Sequence, residues 1–196
     1  MLTGMTVCVY REVFPSSRCL FMYRDVVKVV KSVHRVCMVA PSFRLASLLG
    51  HISGNLTKMM VDFMGYDGSD YRVRIDNDLT FCALIYAVST ASYLDMRRRG
   101  LDVSALRYED LVARPNDMCR VVLEFCHLPV SLAEHPVKAF DVDSQKNSLI
   151  AKSAIGHFKQ PQMTLQTVLK LNEVLKKFGL PLIGEPGIIQ GTLSCC

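Results

Sequence analysis

Between Tyr23 and Val26 the apolar pattern of the chain changes period. Arg18-Cys19-Leu20-Phe21-Met22-Tyr23 is a short apolar run behind the turn formers Pro15-Ser16-Ser17. Its length and flanks read as a buried strand. From Val26 onward the apolar residues recur at helical spacing (Val26, Val29/Val30, Val33, Val36/Cys37), while Lys28, Lys31 and Arg35 gather on another face. Asp25 stands where a carboxylate caps a helix start. Valine is a poor helix former, but burial of the stripe overrides that weak preference. A strand that turns straight into a helix is the local unit of an α/β fold.

The rest of the chain repeats this alternation. Ser42 to Met64 is helical in pattern, with a break near Ser53-Gly54, and 65–70 is a polar turn cluster. A long helix follows over roughly Asp76 to Arg99, ended by Arg97-Arg98-Arg99 and Gly100, since cations in the last turn and a glycine beyond it are C-terminal signals. Val103 to Tyr108 reads as a second strand. A helix after Pro115 runs to about Cys126, and another spans Thr164–Phe178, closed by Gly179-Leu180-Pro181. Asp141 to Gln162 is polar and irregular. With no repeat and no Gly/Ser linker, residues 1–196 are treated as a single α/β domain.

Composition narrows the function classes. Half of the 196 residues are hydrophobic, ample for a core and too many for a disordered chain. Net charge is +5, which suits an anionic small ligand and is too weak to argue for nucleic acid. The excess is concentrated early: Arg11, Arg18, Arg24, Lys28, Lys31 and Arg35 stand against Glu12 and Asp25 before residue 41. The eight cysteines form no C-x-x-C pair and no zinc spacing, so no metal site is assigned. Several lie in apolar runs, as Cys82 and Cys126 do, and read as reduced core thiols. Cys195-Cys196 reads as a loose tail. Arg11 and Glu12 interrupt the N-terminus before a secretory apolar region can build. The apolar stretch Leu79–Leu94 is shorter than the roughly 20 residues of a membrane span and reads as a buried helix. These readings place the chain in the cytoplasm, without an integral membrane span.

Two segments carry candidate chemistry. Arg24 stands at the first strand-to-helix turn and Ser32 follows eight residues later, a little over two helical turns on. The carboxyl ends of strands form the ligand crevice of an α/β sheet. There a guanidinium can grip a phosphate bidentately and a hydroxyl can add a donor. Tyr108, closing the second strand, can stack on or hydrogen-bond a purine. Taken singly, each is also an ordinary surface arginine, helix serine or core-edge tyrosine.

Together these segments resemble the sulfotransferases, a family of the P-loop NTPase superfamily. Leu20 to Ser32 resembles their 3′-phosphate-binding segment, a strand, then an arginine, then a serine eight residues on. Arg107-Tyr108-Glu109-Asp110-Leu111, with Pro115, the helix to Phe125 and Leu128-Pro129, resembles a later strand and helix of the same family. Arg98-Arg99-Gly100-Leu101-Asp102 leads into that strand in a similar way. Ala151 to Lys159 can be laid against a late family segment, matching at Lys152, Gly156 and Lys159, with Ala151 where the family has arginine.

The resemblance covers about Phe14 to Pro181. It implies a three-layer α/β/α fold with a mostly parallel sheet, N-terminally incomplete. It also implies transfer of a sulfuryl group from 3′-phosphoadenosine 5′-phosphosulfate to a hydroxyl or amine of a small-molecule or carbohydrate acceptor. Arg24 and Ser32 would hold the 3′-phosphate and Tyr108 would support the adenine.

The family's 5′-phosphosulfate loop precedes the arginine–serine segment, and the 23 residues before Arg24 contain none. Gly50-His51-Ile52-Ser53-Gly54 with Lys58 lacks the required spacing. No catalytic base is assigned, because nothing positions His34 or His51. Impaired transfer is therefore expected, or a non-catalytic nucleotide-binding or interaction module on the same fold. The chain has no Walker A run, which counts against an ordinary P-loop kinase or NTPase. A sheet short of a strand exposes an edge through which the chain could self-associate, unless Met5–Tyr10 covers it.

Overall fold

The computed structural model describes residues 16–39, 75–133 and 158–195, together with isolated helical positions between 45 and 62. The fold is mixed α/β. Strand β1 (Cys19–Tyr23) leads into helix α1 (Val26–Val39); helix α2 (Asp78–Arg98) leads into strand β2 (Val103–Arg107). Helices α3 (Tyr108–Ala113) and α4 (Pro115–Phe125) follow, then a 3₁₀ turn at Val130–Ala133 and helix α5 (Leu165–Lys177).

Local chemistry sets the ends of these elements. Asp25 Oδ1 accepts from the Lys28 amide at 3.0 Å, so the expected cap of α1 is present. Asn77 Oδ1 accepts from the Thr80 amide at 2.9 Å and Thr164 Oγ1 from the Thr167 amide at 3.2 Å, capping α2 and α5. Helix α2 closes with Gly100 N–H bonded to Arg97 O and Leu101 N–H to Met96 O, a Schellman motif with Gly100 at φ +80°. Helix α4 closes by the same pair of bonds, His127 to Glu124 and Leu128 to Leu123, with His127 at φ +57°. Here a histidine holds the position that favours glycine.

β1 and β2 are parallel and pair along their full length, from Cys19 with Val103 to Tyr23 with Arg107. Alternate residues point to opposite faces. On one face Cys19, Phe21, Tyr23, Val103 and Ala105 pack with Tyr93 and Met96 of α2. Leu20 and Leu106, on the other, pack with Leu111 of α3 and Met118 and Cys119 of α4. Helix side chains thus cover both faces. A third apolar cluster joins α1 (Val26, Val30, Cys37), α2 (Phe81, Leu84, Val88) and α5 (Leu171, Val174, Leu175).

Helix α2 has 21 residues, longer than the apolar stretch read from the sequence. By length and composition it could cross a membrane, so shortness is not the argument against a span. The argument is packing: 61% of its most apolar window is buried inside the protein, against α1, α5 and the sheet.

Two features differ from the sequence reading. The second strand ends at Arg107, and Tyr108 opens a six-residue helix instead of closing the strand. Glu109 and Asp110 in the first turn suit a helix start, where the backbone dipole favours anions. The C-terminal residues also join the sheet. Ala105 N–H donates to Gly191 O at 2.9 Å and Leu193 N–H to Ala105 O at 2.8 Å, laying 191–193 parallel along the second edge of β2. The outer edge of β1 has no strand partner among the described residues. Met5–Tyr10, the 65–70 turn, His51, residues 141–157 and Cys196 lie outside the described residues.

Candidate functional site

Because Tyr23 pairs with Arg107, both strands stop at the same level. Arg24-Asp25 and Tyr108-Glu109 therefore emerge side by side at the carboxyl rim, where ligands bind in open parallel sheets. Helix α1 begins there as well and directs its positive end at the rim.

The structure brings Arg24 and Tyr108 together. The Arg24 guanidinium carbon lies 4.8 Å from the centroid of the Tyr108 ring, within cation–π range. Arg24 Nε faces Glu109 Oε1 at 3.5 Å, and the arginine side chain remains 42% exposed. Its terminal nitrogens have no partner among the described residues, so the planar fork can still accept an anion from solvent.

Glu109 is the residue whose importance the sequence reading missed. Its side chain is 18% exposed and meets three cations: Lys28 Nζ at 3.3 Å, Arg24 Nε at 3.5 Å and Arg107 Nε at 3.8 Å. Its Oε2 also accepts from the Asp25 amide at 3.1 Å, across 84 residues of chain. Arg24, Lys28 and Arg107 gather around the one carboxylate of Glu109, while Asp25 caps α1 and Asp110 stands in the same first turn as Glu109. No local signal marks Glu109, since a carboxylate in the first turn of a short helix reads as a solvated acid. Only the pairing of the strands turns it inward.

Ser32 is placed differently. It stands one helical turn beyond Lys28 on the same side of α1, away from the buried stripe of Val26, Val30 and Cys37. It is half-buried, and its hydroxyl bonds neither Arg24 nor Tyr108. A ligand that reaches both Arg24 and Ser32 would have to lie along this side of α1.

On α2, burial pushes the Tyr86 phenol up to about 12; a hydrogen bond with Thr90 opposes the shift, and Tyr23, Asp25 and Glu109 add smaller upward pushes. His34, on α1, is half-buried with its Nδ1 lacking a partner among the described residues, and no contact orients it as a base. Among the described residues no group of three or more His, Cys, Asp or Glu could hold a metal. The six described cysteines are free thiols. Cys37 and Cys82 hydrogen-bond between α1 and α2, and this bond together with burial pushes the Cys82 thiol up. A rim of this kind can bind an anion attached to a flat ring, the anion on the guanidinium and the ring near the tyrosine.

No protein-family model, curated protein or solved structure matches the chain.

Proposed function

We propose that the chain is a sulfotransferase-like protein whose strand-end rim takes a 3′-phosphoadenosine nucleotide, the co-substrate of sulfuryl transfer. In this reading Arg24 and Ser32 hold the 3′-phosphate and Tyr108 supports the adenine. The observation that carries it is the juxtaposition of Arg24 and Tyr108, which come from two segments far apart in the chain and meet over 4.8 Å. The exposed guanidinium of Arg24 and the start of α1 add to the attraction for a phosphate. The reading is also supported by two parallel strands that carry helix side chains on both faces, an arrangement a three-layer α/β/α sheet would share.

Sulfuryl transfer resembles phosphoryl transfer, in which positioning and charge stabilisation do most of the catalysis. The 3′-phosphate grip supplies positioning. Charge on the transferring group needs a phosphosulfate loop, and these 196 residues contain no such run. Binding without robust turnover is the expected behaviour, which also accommodates a non-catalytic nucleotide-binding module. The acceptor in this reading is a small-molecule or carbohydrate hydroxyl or amine. The location is cytoplasmic, consistent with free thiols. Self-association would run through the outer edge of β1.

Calorimetry with adenosine 3′,5′-bisphosphate tests the reading. The wild type binds and Arg24→Ala does not; equal binding by both sinks the phosphate role. Incubation with labelled phosphosulfate donor and a panel of acceptors then separates an enzyme from a binding module.

A further inference from the structure

We infer that Glu109 is a positioning residue: it holds the Arg24 guanidinium at the strand-end rim so that its terminal nitrogens face an incoming anion. The inference rests on the nucleotide-binding reading of the rim and deepens it.

The argument starts from the two turns that meet there. One carries Arg24, Asp25 and Lys28, the other Arg107, Tyr108 and Glu109. The Glu109 carboxylate bridges them. Oε2 accepts from the Asp25 amide at 3.1 Å and faces Arg107 Nε at 3.8 Å. Oε1 faces Arg24 Nε at 3.5 Å and Lys28 Nζ at 3.3 Å.

Three cations gathered within 4 Å of one carboxylate repel each other, and its charge is what allows them to share the space. Arg24 Nε and Glu109 Oε1 are both shielded from solvent and neither makes a hydrogen bond, so at 3.5 Å the carboxylate holds the inner edge of the guanidinium by charge alone. The Tyr108 ring supports its face at 4.8 Å. With Nε and one face held, the terminal nitrogens of this 42% exposed side chain are the donors left for a phosphate.

This role makes a prediction opposite in sign to simple charge counting. Removing a carboxylate beside an anion site raises the local positive potential, so a bystander Glu109 would weaken anion binding and its loss would tighten it. A positioning Glu109 does the reverse, because the freed arginine must be ordered again by the ligand.

The test uses the full chain with adenosine 3′,5′-bisphosphate and 5′-AMP as probes. The ordering of Arg24 Nε is followed in parallel by NMR relaxation. Glu109→Gln keeps the shape and an acceptor for the Asp25 amide but removes the charge. It is expected to bind the bisphosphate about tenfold more weakly. 5′-AMP affinity should be unchanged, the unfolding midpoint should fall slightly as the three cations lose their shared carboxylate, and Arg24 Nε should become mobile. Glu109→Asp, which keeps the charge on a shorter arm, should stay within about threefold of wild type.

Equal or tighter bisphosphate binding by Glu109→Gln overturns the inference. So does a parallel loss of 5′-AMP binding and midpoint in both variants, which marks a structural role only. If the wild type binds no bisphosphate, the nucleotide reading fails by itself, and Arg24 Nε decides Glu109: looser in Glu109→Gln supports the inference, unchanged overturns it.

Discussion

The Arg24 guanidinium rests on the face of the Tyr108 ring, 4.8 Å from its centroid, although the two residues belong to different strand-to-helix turns. The contact exists because β1 and β2 run parallel and end in register at Tyr23 and Arg107. It converts two local patterns into one surface with a charged edge and an aromatic face.

That surface needs the ring more than the hydroxyl, since stacking and cation–π attraction both use the π-face. Tyr108→Phe should bind adenosine 3′,5′-bisphosphate within about threefold of wild type, whereas Tyr108→Ala should lose about tenfold or more, a stacking loss of 1–3 kcal/mol. Titration calorimetry of the two variants checks the ranking, and equal affinities would remove Tyr108 from the site.

Gly191→Ala should be strongly destabilising. Gly191 has φ +80°, and an added Cβ would lie 2.5 Å from Arg97 Cζ and 2.7 Å from Tyr93 Oη. Neither neighbour can swing away cheaply: Arg97 Nη1 donates to Val103 O at 2.6 Å and Tyr93 Oη to Gln190 O at 2.9 Å. Backbone strain and the clash together should cost about 2 kcal/mol or more. Urea unfolding measures it, and the 191–193 pairing with β2 is the part that should open first.

His127→Gly should stabilise the protein. His127 occupies the left-handed closing position of α4 at φ +57°, where a Cβ is unfavourable and glycine is not. The substitution also removes the exposed contact of Arg18 Nη2 with His127 Nε2 at 3.0 Å, a small loss at the surface. The expected net gain is about 0.5–1 kcal/mol. A lower denaturant midpoint than wild type would show that the Arg18 contact outweighs the backbone term.

Stability should also fall in alkali through Tyr86. Its folded phenol titrates at about 12, against about 10 when unfolded. The unfolded chain therefore loses its proton first. The contribution is full below pH 10 and disappears as pH rises from about 10 to 12, amounting to about 2–3 kcal/mol. Tyr86→Phe should show a shallower decline than wild type over that window in urea titrations at fixed pH. Identical slopes would place the phenol in contact with solvent.

Much of the architecture was legible in the residues alone because its causes are local. The change from a five-residue strand to a valine-striped helix at Asp25 is written in hydrophobic period and a capping carboxylate. The close of α2 at Gly100 and of α5 at Gly179 needs only a residue that tolerates positive φ. The candidate pair Arg24 and Ser32 is a spacing from the turn before α1 into that helix, and in the fold no hydrogen bond joins the two side chains. Tyr108 was legible as a residue and misplaced as an element, because one turn of helix begins where the strand was expected to end.

Other features have no local signature. Glu109 bridges residues 84 positions away, Tyr86 receives the field of two carboxylates on other elements, and Thr192 bonds Tyr23 from 169 positions on. Amino-acid order determined that β1 gives way to α1 at Asp25 and that α2 and α5 close at their glycines, since those follow from neighbours within a turn or two. Folding in three dimensions decided that two strands would end together, that one carboxylate would gather three cations, and that the last residues would line the sheet, because Coulomb attraction and backbone pairing act between atoms close in space regardless of their separation along the chain.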